Sequence, residues 1–399
     1  MRTFILILCL VAMIVCGTAI YLVATTPREA PPLRFPLTPS QLELLGRVPA
    51  TAEAYAYIPA PAVLHRRLIE NPVTRGAVAR WSEEQPLPPA SLLGAADAVL
   101  WKTGKVTSYA IRLDALRALI VRIWTLFSRT DAQWEGSTLL VNAEASGGGA
   151  PEAGQAQGLP EGDIFVVQRS GARGAFPPIA RPALTSVRVT VSEILITARA
   201  RNTTTNEPSP FRARFPRNAI LSVAFSDPPP ILGDFERLLA ADIEAIAGDG
   251  GMIALYKVET GTLLPRPKGV VVLPADDESR STLVRYERVI DLVGEKVERN
   301  GELVVSFDST SARQYLEDVP VPATWSATEW AVRLDPVRLV PVLRKSGDSA
   351  GLRFIAPRIH RGTRDLRRWI DALEQAGSVE AALSASGGVE ELRVRVAAK

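Results

Sequence analysis

Residues 48–61, VPATAEAYAYIPAP, and residues 215–228, FPRNAILSVAFSDP, are two versions of one pattern. At a constant separation of 167, Pro49 meets Pro216, Ile58 meets Phe225 and Pro61 meets Pro228. In each version a proline-led turn enters a short apolar strand, and further prolines open an amphipathic helix. Proline suits both strand entry and the first helical turn, because its φ is preset and its missing N–H is not needed there. A chain that carries such a pattern twice is expected to build one architecture twice.

Four further matches follow in the same order at drifting separations. Residues 98–102 (AVLWK) match 253–257 (IALYK), 135–141 (EGSTLLV) match 300–306 (NGELVVS), and 163–169 (DIFVVQR) match 329–335 (EWAVRLD). Each half then closes on a pair of alternating strands, 187–191 with 194–198 and 379–383 with 392–396. Short strands bounded by glycine turns, with helices interspersed irregularly, predict an α+β fold. An N-terminal transmembrane helix would be followed by two tandem related α+β modules with mainly antiparallel sheets.

The expected divisions are a cytoplasmic tip (1–3), a transmembrane helix (4–24), a proline-rich stalk (25–45), module 1 (46–200), a linker (201–209) and module 2 (210–399). The modules differ in their loops. Residues 146–158 are a glycine-rich, low-complexity segment. Residues 362–377 instead place Leu366, Trp369, Ile370 and Leu373 on one helical face, with Gly377 expected just past the helix end. A short helix is also expected from Pro39, where Leu42, Leu44 and Leu45 need a face to bury.

The anchor expectation comes from residues 4–24, FILILCLVAMIVCGTAIYLVA, 21 positions without a charge. As a helix they would span about 30 Å, the thickness of the hydrocarbon layer. Arg2 and the α-amino group precede them, which places the N-terminus in the cytoplasm by the positive-inside bias. A cleaved signal peptide has a shorter core and small residues at its cleavage site, whereas Thr25-Thr26-Pro27-Arg28 follow here. Lipidation would need small residues before Cys9 or Cys16, and the neighbours are bulky. Both cysteines of the chain lie in this run, so the rest is cysteine-free and must be stabilised without disulfides.

The 46 basic and 43 acidic residues leave a net charge of +3, too little for an electrostatic nucleic-acid binder. Two histidines in the whole chain argue against a histidine-rich metal centre. The sequence also carries no G-x-S-x-G, S-x-x-K, H-E-x-x-H, G-x-G-x-x-G or phosphate-loop pattern. No catalytic, cofactor-binding or metal-ligating residue is nominated. His65 and His360 stand among arginines with no partner suited to catalysis, and Asp276-Asp277-Glu278 suits a helix entry better than a cation loop.

The one nominated site is basic. Arg353, Arg358, Arg361, Arg364, Arg367 and Arg368 fall within sixteen residues, opposed only by Asp365, near an expected helix start. Guanidinium groups so crowded repel each other unless an anion or an acidic partner surface lies between them. The alternative is that they pair with acids elsewhere or point into water. A second candidate is 116–127, LRALIVRIWTLF, either a core helix or one that meets a partner or a membrane surface.

The V-P-x-x-A-x-x-Y opening (Val48 to Tyr55) and the W-x-V-R-L-D-P segment (Trp330 to Pro336) resemble uncharacterised bacterial single-pass, membrane-anchored exported proteins with a duplicated α+β region. The resemblance implies a fold and a topology and no activity. With 39 arginines against seven lysines, the composition matches a GC-rich bacterium. The expected function is a non-catalytic, membrane-tethered periplasmic accessory or scaffold subunit of a membrane protein assembly, held in the inner membrane. Its partners would be membrane lipid, through residues 4–24, and other subunits of a complex, with no nucleic acid. The alternatives are a tethered binding module for an anionic small molecule or lipid head group, and a periplasmic hydrolase without a recognisable motif.

Deleting residues 4–24 is expected to move the protein from the alkali-resistant membrane fraction to the soluble one. Intact mass of the full chain should still include Met1 or Arg2; loss of about 25 N-terminal residues would instead establish cleavage.

Overall fold

The computed structural model describes residues 38–84, 95–104, 106–127, 132–142, 161–169, 183–201, 210–226, 250–259, 266–284, 294–306, 308–347 and 370–399. They divide into two compact units, the first ending at Val191 and the second starting at Ser192. The described strands and helices form an α+β fold in which every strand ladder is antiparallel. Residues 4–24 lie outside the described residues; among those described, no helix is long and apolar enough to cross a membrane.

The first unit opens with α1 (Pro39–Leu45). Thr38 starts it through a capping box, its hydroxyl accepting from the Gln41 amide while its own N–H donates to the Gln41 side chain at 2.7 Å. Leu44 and Leu45 of α1 are buried with Val48 in the core, so the folded unit already includes this end of the expected stalk. Next come β1 (Ala54–Ile58), α2 (Pro61–Glu70), α3 (Pro72–Glu84), β2 (Ala95–Thr103), β3 (Val106–Leu113) and α4 (Ala115–Phe127). The hairpin β4 (Ala132–Glu135) and β5 (Thr138–Val141), then β6 (Ile164–Gln168) and β7 (Ala183–Val189), complete the set. Within this unit the strands lie in the order β7-β6-β1-β2-β3-β5-β4.

Strand alternation gives this sheet two buried faces. Tyr55, Tyr57, Val99, Trp101, Ala110, Leu140 and Phe165 meet α1 through Leu44 and Leu45. On the other face Ala98, Tyr109, Ile111, Leu139 and Val141 meet Ala118 and Val121 of α4.

The second unit contains β8 (Glu193–Arg201), β9 (Arg214–Pro216), β10 (Leu221–Phe225), β11 (Gly251–Glu259), β12 (Arg266–Pro274), α5 (Asp277–Val284), β13 (Glu295–Arg299) and β14 (Glu302–Ser306). It continues with α6 (Ser311–Glu317), β15 (Pro320–Pro322), β16 (Trp330–Leu334), α7 (Pro336–Gly347), β17 (Ala376–Ser386) and β18 (Val389–Ala398). Its sheet runs β8-β18-β17-β16-β10-β11-β12-β14-β13, and β9 pairs with β15 as a separate ribbon. β8 pairs along its whole length with the C-terminal strand β18, from Glu193 opposite Ala397 to Arg201 opposite Val389. Gly387 and Gly388, both at positive φ, form the two-residue turn between β17 and β18 that strand twist favours.

The described part of the expected 362–377 helix is helical over residues 370–375. Gly377 does not end it as a cap. It lies inside β17 at a register shift, where an added Cβ would meet the Ala398 carbonyl at 3.1 Å.

The β7-β6-β1-β2-β3-β5-β4 order of the first unit recurs in the second as β17-β16-β10-β11-β12-β14-β13. Fixing Ile58 on Phe225 carries the pairing outward: Val99 answers to Met252, Ala110 to Val272, Thr138 to Glu302 and Phe165 to Ala331. Hydrogen bonds outside the ladders then recur at corresponding atoms. Ala52 N to Pro49 O (3.1 Å) answers to Ala219 N to Pro216 O (3.4 Å), and Glu53 N to Lys102 O (2.9 Å) to Ile220 N to Leu255 O (2.7 Å). Arg169 N to Glu53 O answers to Asp335 N to Ile220 O, and Leu113 N to Ser137 O to Ala275 N to Gly301 O.

Even the helix entry repeats. Asp114 Oδ1 accepts from Arg117 N at 2.9 Å before α4, and Asp276 Oδ1 accepts from Ser279 N at 2.7 Å before α5. The Asp276-Asp277-Glu278 run is thus a helix start, as its position suggested, with the helix beginning at Asp277.

Removing these caps should be measurable by urea unfolding. Asp276→Ala is expected to lower the unfolding midpoint by removing the acceptor of the Ser279 amide. Asp114→Ala should cost more, because the buried Arg117 also loses its ion pair with that carboxylate. Equal, negligible losses would contradict the assignment of both as caps.

Candidate functional site

The arginine cluster nominated by the sequence, Arg353, Arg358, Arg361, Arg364, Arg367 and Arg368, lies outside the described residues, as does His360. His65 is half-buried on α2, and burial lowers its pKa below the ordinary histidine value. On α4 the two arginines are accounted for locally. Arg117 pairs with Asp114 at 2.7 Å, and Arg122 lies over the Trp134 ring at 4.9 Å. Leu119 on the same helix is more than half exposed, while Ala118 and Val121 are core residues.

Two polar constellations stand out among the described residues, one in each unit. In the first unit the fully buried Tyr57 donates its hydroxyl to Asp97 Oδ2 at 2.8 Å. Arg112 donates Nε to Asp97 Oδ1 at 2.8 Å and a second nitrogen to the other carboxylate oxygen, a bidentate pair. The third Arg112 nitrogen reaches the Ser40 carbonyl on α1 at 2.9 Å. These residues sit on β1, β2, β3 and α1, so the network fastens the helix to the sheet. Burial, followed by the charge of Asp97, pushes the Tyr57 hydroxyl well above the ordinary tyrosine pKa. The network is internally matched, and its chemistry is that of a structural clamp.

The second unit holds a cavity of about 670 Å³. Its walls come from the β9–β15 ribbon, from Tyr315 and Leu316 on α6, from the end of β12 and from the turn between β13 and β14. α6 is held by Asp308, whose carboxylate accepts from the amides of Thr310 (2.9 Å) and Ser311 (2.9 Å) and from both hydroxyls. Burial opposes the Asp308 charge, but these donors outweigh it and hold its carboxyl below the ordinary aspartate value. Buried Met252, Val272 and Ala224 supply an apolar floor, and Arg212, Arg214 and Arg299 stand exposed around it.

The carboxylates in the lining are already engaged. Glu302 accepts from the Tyr315 hydroxyl at 2.9 Å, and Asp318 accepts from the Asn218 backbone (2.8 Å) and side chain (2.9 Å). A second hollow, of about 410 Å³, shares Asp318 and is lined by Tyr256, Gln314, Glu317 and Arg338. The Tyr256 hydroxyl is buried there without a hydrogen-bond partner, and burial, then the nearby Asp318 charge, raises its pKa.

This cavity is separate from the site residues that the sequence singles out. Its one local signal is the run Arg212-Ala213-Arg214-Phe215-Pro216-Arg217, where alternate arginines share one side of a strand. Among the described residues no group of three or more histidine, cysteine, aspartate or glutamate side chains could hold a metal ion.

Tyr57→Phe tests the clamp. The loss of a hydrogen bond to a charged acceptor is expected to cost about 1.5–3 kcal/mol at neutral pH. A tyrosine pKa raised by folding stabilises fully below the unfolded value of about 10 and loses that contribution as pH climbs above it. The stability gap between wild type and Tyr57→Phe should therefore stay constant from pH 7 to 9 and narrow above pH 10.

No family model, no curated protein and no solved structure matches this chain.

Proposed function

We propose that this chain is a non-catalytic, membrane-tethered accessory or scaffold protein of a bacterial inner membrane. Its exported part would consist of two copies of one antiparallel α+β module. The observation that carries the reading is the recurrence of one strand order, with the same peripheral hydrogen bonds, in both units. A repeated module presents related surfaces twice, which suits a protein that joins other subunits. The uncharged run 4–24 would tether it with the N-terminus in the cytoplasm, and the prolines from Pro27 to Pro36 would hold the first module away from the lipid.

A second reading, a tethered binding module for an anionic ligand, is favoured by the arginine-rimmed cavity of the second unit. The two readings are compatible, since a scaffold can carry a ligand site.

Purification of the full chain from its native membranes in mild detergent, followed by mass spectrometry, tests the scaffold reading. A constant set of membrane proteins in fixed ratio is expected, and it should disappear when residues 4–24 are replaced by an unrelated membrane helix only if the anchor itself makes the contacts. Recovery as a lone monomer under all solubilising conditions would contradict the proposal.

A further inference from the structure

The cavity of the second unit becomes informative when its lining is set beside the corresponding positions of the first. Pairing across β1, β2 and β3 on one side and β10, β11 and β12 on the other places Tyr57 on Ala224, Asp97 on Gly250 and Arg112 on Pro274. The three residues that build the buried clamp of the first unit are thus replaced by a small side chain, a glycine and a proline. Leu45, packed in the core of the first unit, answers to Arg212, exposed on the cavity rim of the second. The space that the first unit fills is left hollow.

The rim changes in a second way, independent of volume. In the first unit Arg47, just before Val48-Pro49, forms an ion pair with Glu135 at the end of β4. Arg47 answers to Arg214, just before Phe215-Pro216, and Glu135 answers to Arg299 at the end of β13. The hairpins fix that second match, because Glu135 lies opposite Thr138 as Arg299 lies opposite Glu302. One member of an ion pair has therefore changed sign, so two guanidinium groups share the mouth of one cavity. Among the described residues the guanidinium groups of Arg214 and Arg299 have no hydrogen bond or ion pair. Like charges at one rim repel, and an oxyanion between them turns that repulsion into two charge-assisted contacts.

We propose that this cavity is a binding site for an amphiphilic anion, with its oxyanion held by Arg214 and Arg299 and its apolar body on Met252, Val272 and Ala224. Arg212 stands on the same side of the β9 strand end and adds a third cation. A carboxylate on an aliphatic chain and the phosphate of a lipid head group share this chemistry. None of the residues invoked belongs to the arginine cluster at 353–368, and the site does not depend on the scaffold proposal.

Isothermal titration of the full chain in phosphatidylcholine nanodiscs, blanked against empty nanodiscs, with octanoate, with a short-chain lysophosphatidylglycerol, with octanol and with inorganic phosphate, tests the proposal. At least one amphiphilic anion is expected to bind tenfold or more tighter than both octanol and phosphate. Octanoate ahead would assign the site to free carboxylic acids, and the lysophospholipid ahead would assign it to lipid head groups. Arg299→Glu restores the charge pattern of the first unit, and it should weaken the anion tenfold or more while leaving the unfolding midpoint unchanged or raised. Ala224→Phe fills the floor and should weaken octanol and the anions alike. Equal affinity for octanol and both anions, or an anion affinity indifferent to Arg299→Glu in a folded protein, would overturn the site. Phosphate binding as tightly as both amphiphiles would overturn the role of the apolar floor.

Discussion

A strand whose two faces are both apolar has to be covered twice, and this constraint runs through both units. In the first, Tyr55, Tyr57 and Trp101 demand cover on one face, and Tyr109, Ile111 and Leu139 on the other. α1 supplies the first and α4 the second. In the second unit Val271, Leu273 and Leu303 are covered through Leu283 of α5, on the face that corresponds to α4. The opposite face, with Met252, Val272 and Val304, is met by Ala312 on α6 and Phe215 on β9. α6 and the β9–β15 ribbon on this face are also walls of the cavity.

That difference explains why the polar chemistry of the two units diverges while the ladders agree. Where α1 lies close, an isolated charge on the sheet would be buried, so Asp97 and Arg112 are paired and the Tyr57 hydroxyl donates to Asp97. Where the cover is incomplete, water reaches the rim, and unpaired arginines such as Arg214 and Arg299 are tolerated at little cost. A ligand site needs this combination of a protected apolar floor and charges free to change partner.

Much of the architecture was legible because alternating apolar residues and proline-led entries survive in both halves. The 167-residue match of β1 to β10 and the match of 163–169 to 329–335 coincide with the strand pairing. The match of 98–102 to 253–257 is two residues out, since pairing sets Lys102 beside the position of Leu255. A slip of two keeps every side chain on its own face, so the hydrophobic pattern cannot register it. The glycine of 135–141 aligned by identity with Gly301, yet the backbone sets Gly136 with Asn300, both at positive φ. Asparagine and glycine are interchangeable in that left-handed position. Gly377 misled in the opposite direction, because a glycine also suits a strand position where an added Cβ would meet the Ala398 carbonyl at 3.1 Å. Of the cavity the sequence shows only the alternation of Arg212 and Arg214: the sign change from Glu135 to Arg299 acquires meaning only once pairing has made the two positions equivalent.

One register places Arg214 and Arg299 at a common mouth, as it places Arg47 and Glu135 together. Outside residues 4–24 the chain has no cysteine, so paired cysteine substitutions can be read cleanly once Cys9 and Cys16 are replaced by serine. Cysteines at positions 47 and 135, and separately at 214 and 299, can be joined with a short bis-maleimide and the products measured by mass spectrometry. Comparable intramolecular cross-linking of both pairs is predicted. Efficient linkage at 47 and 135 with none at 214 and 299 would contradict the equivalence on which the cavity's reading depends.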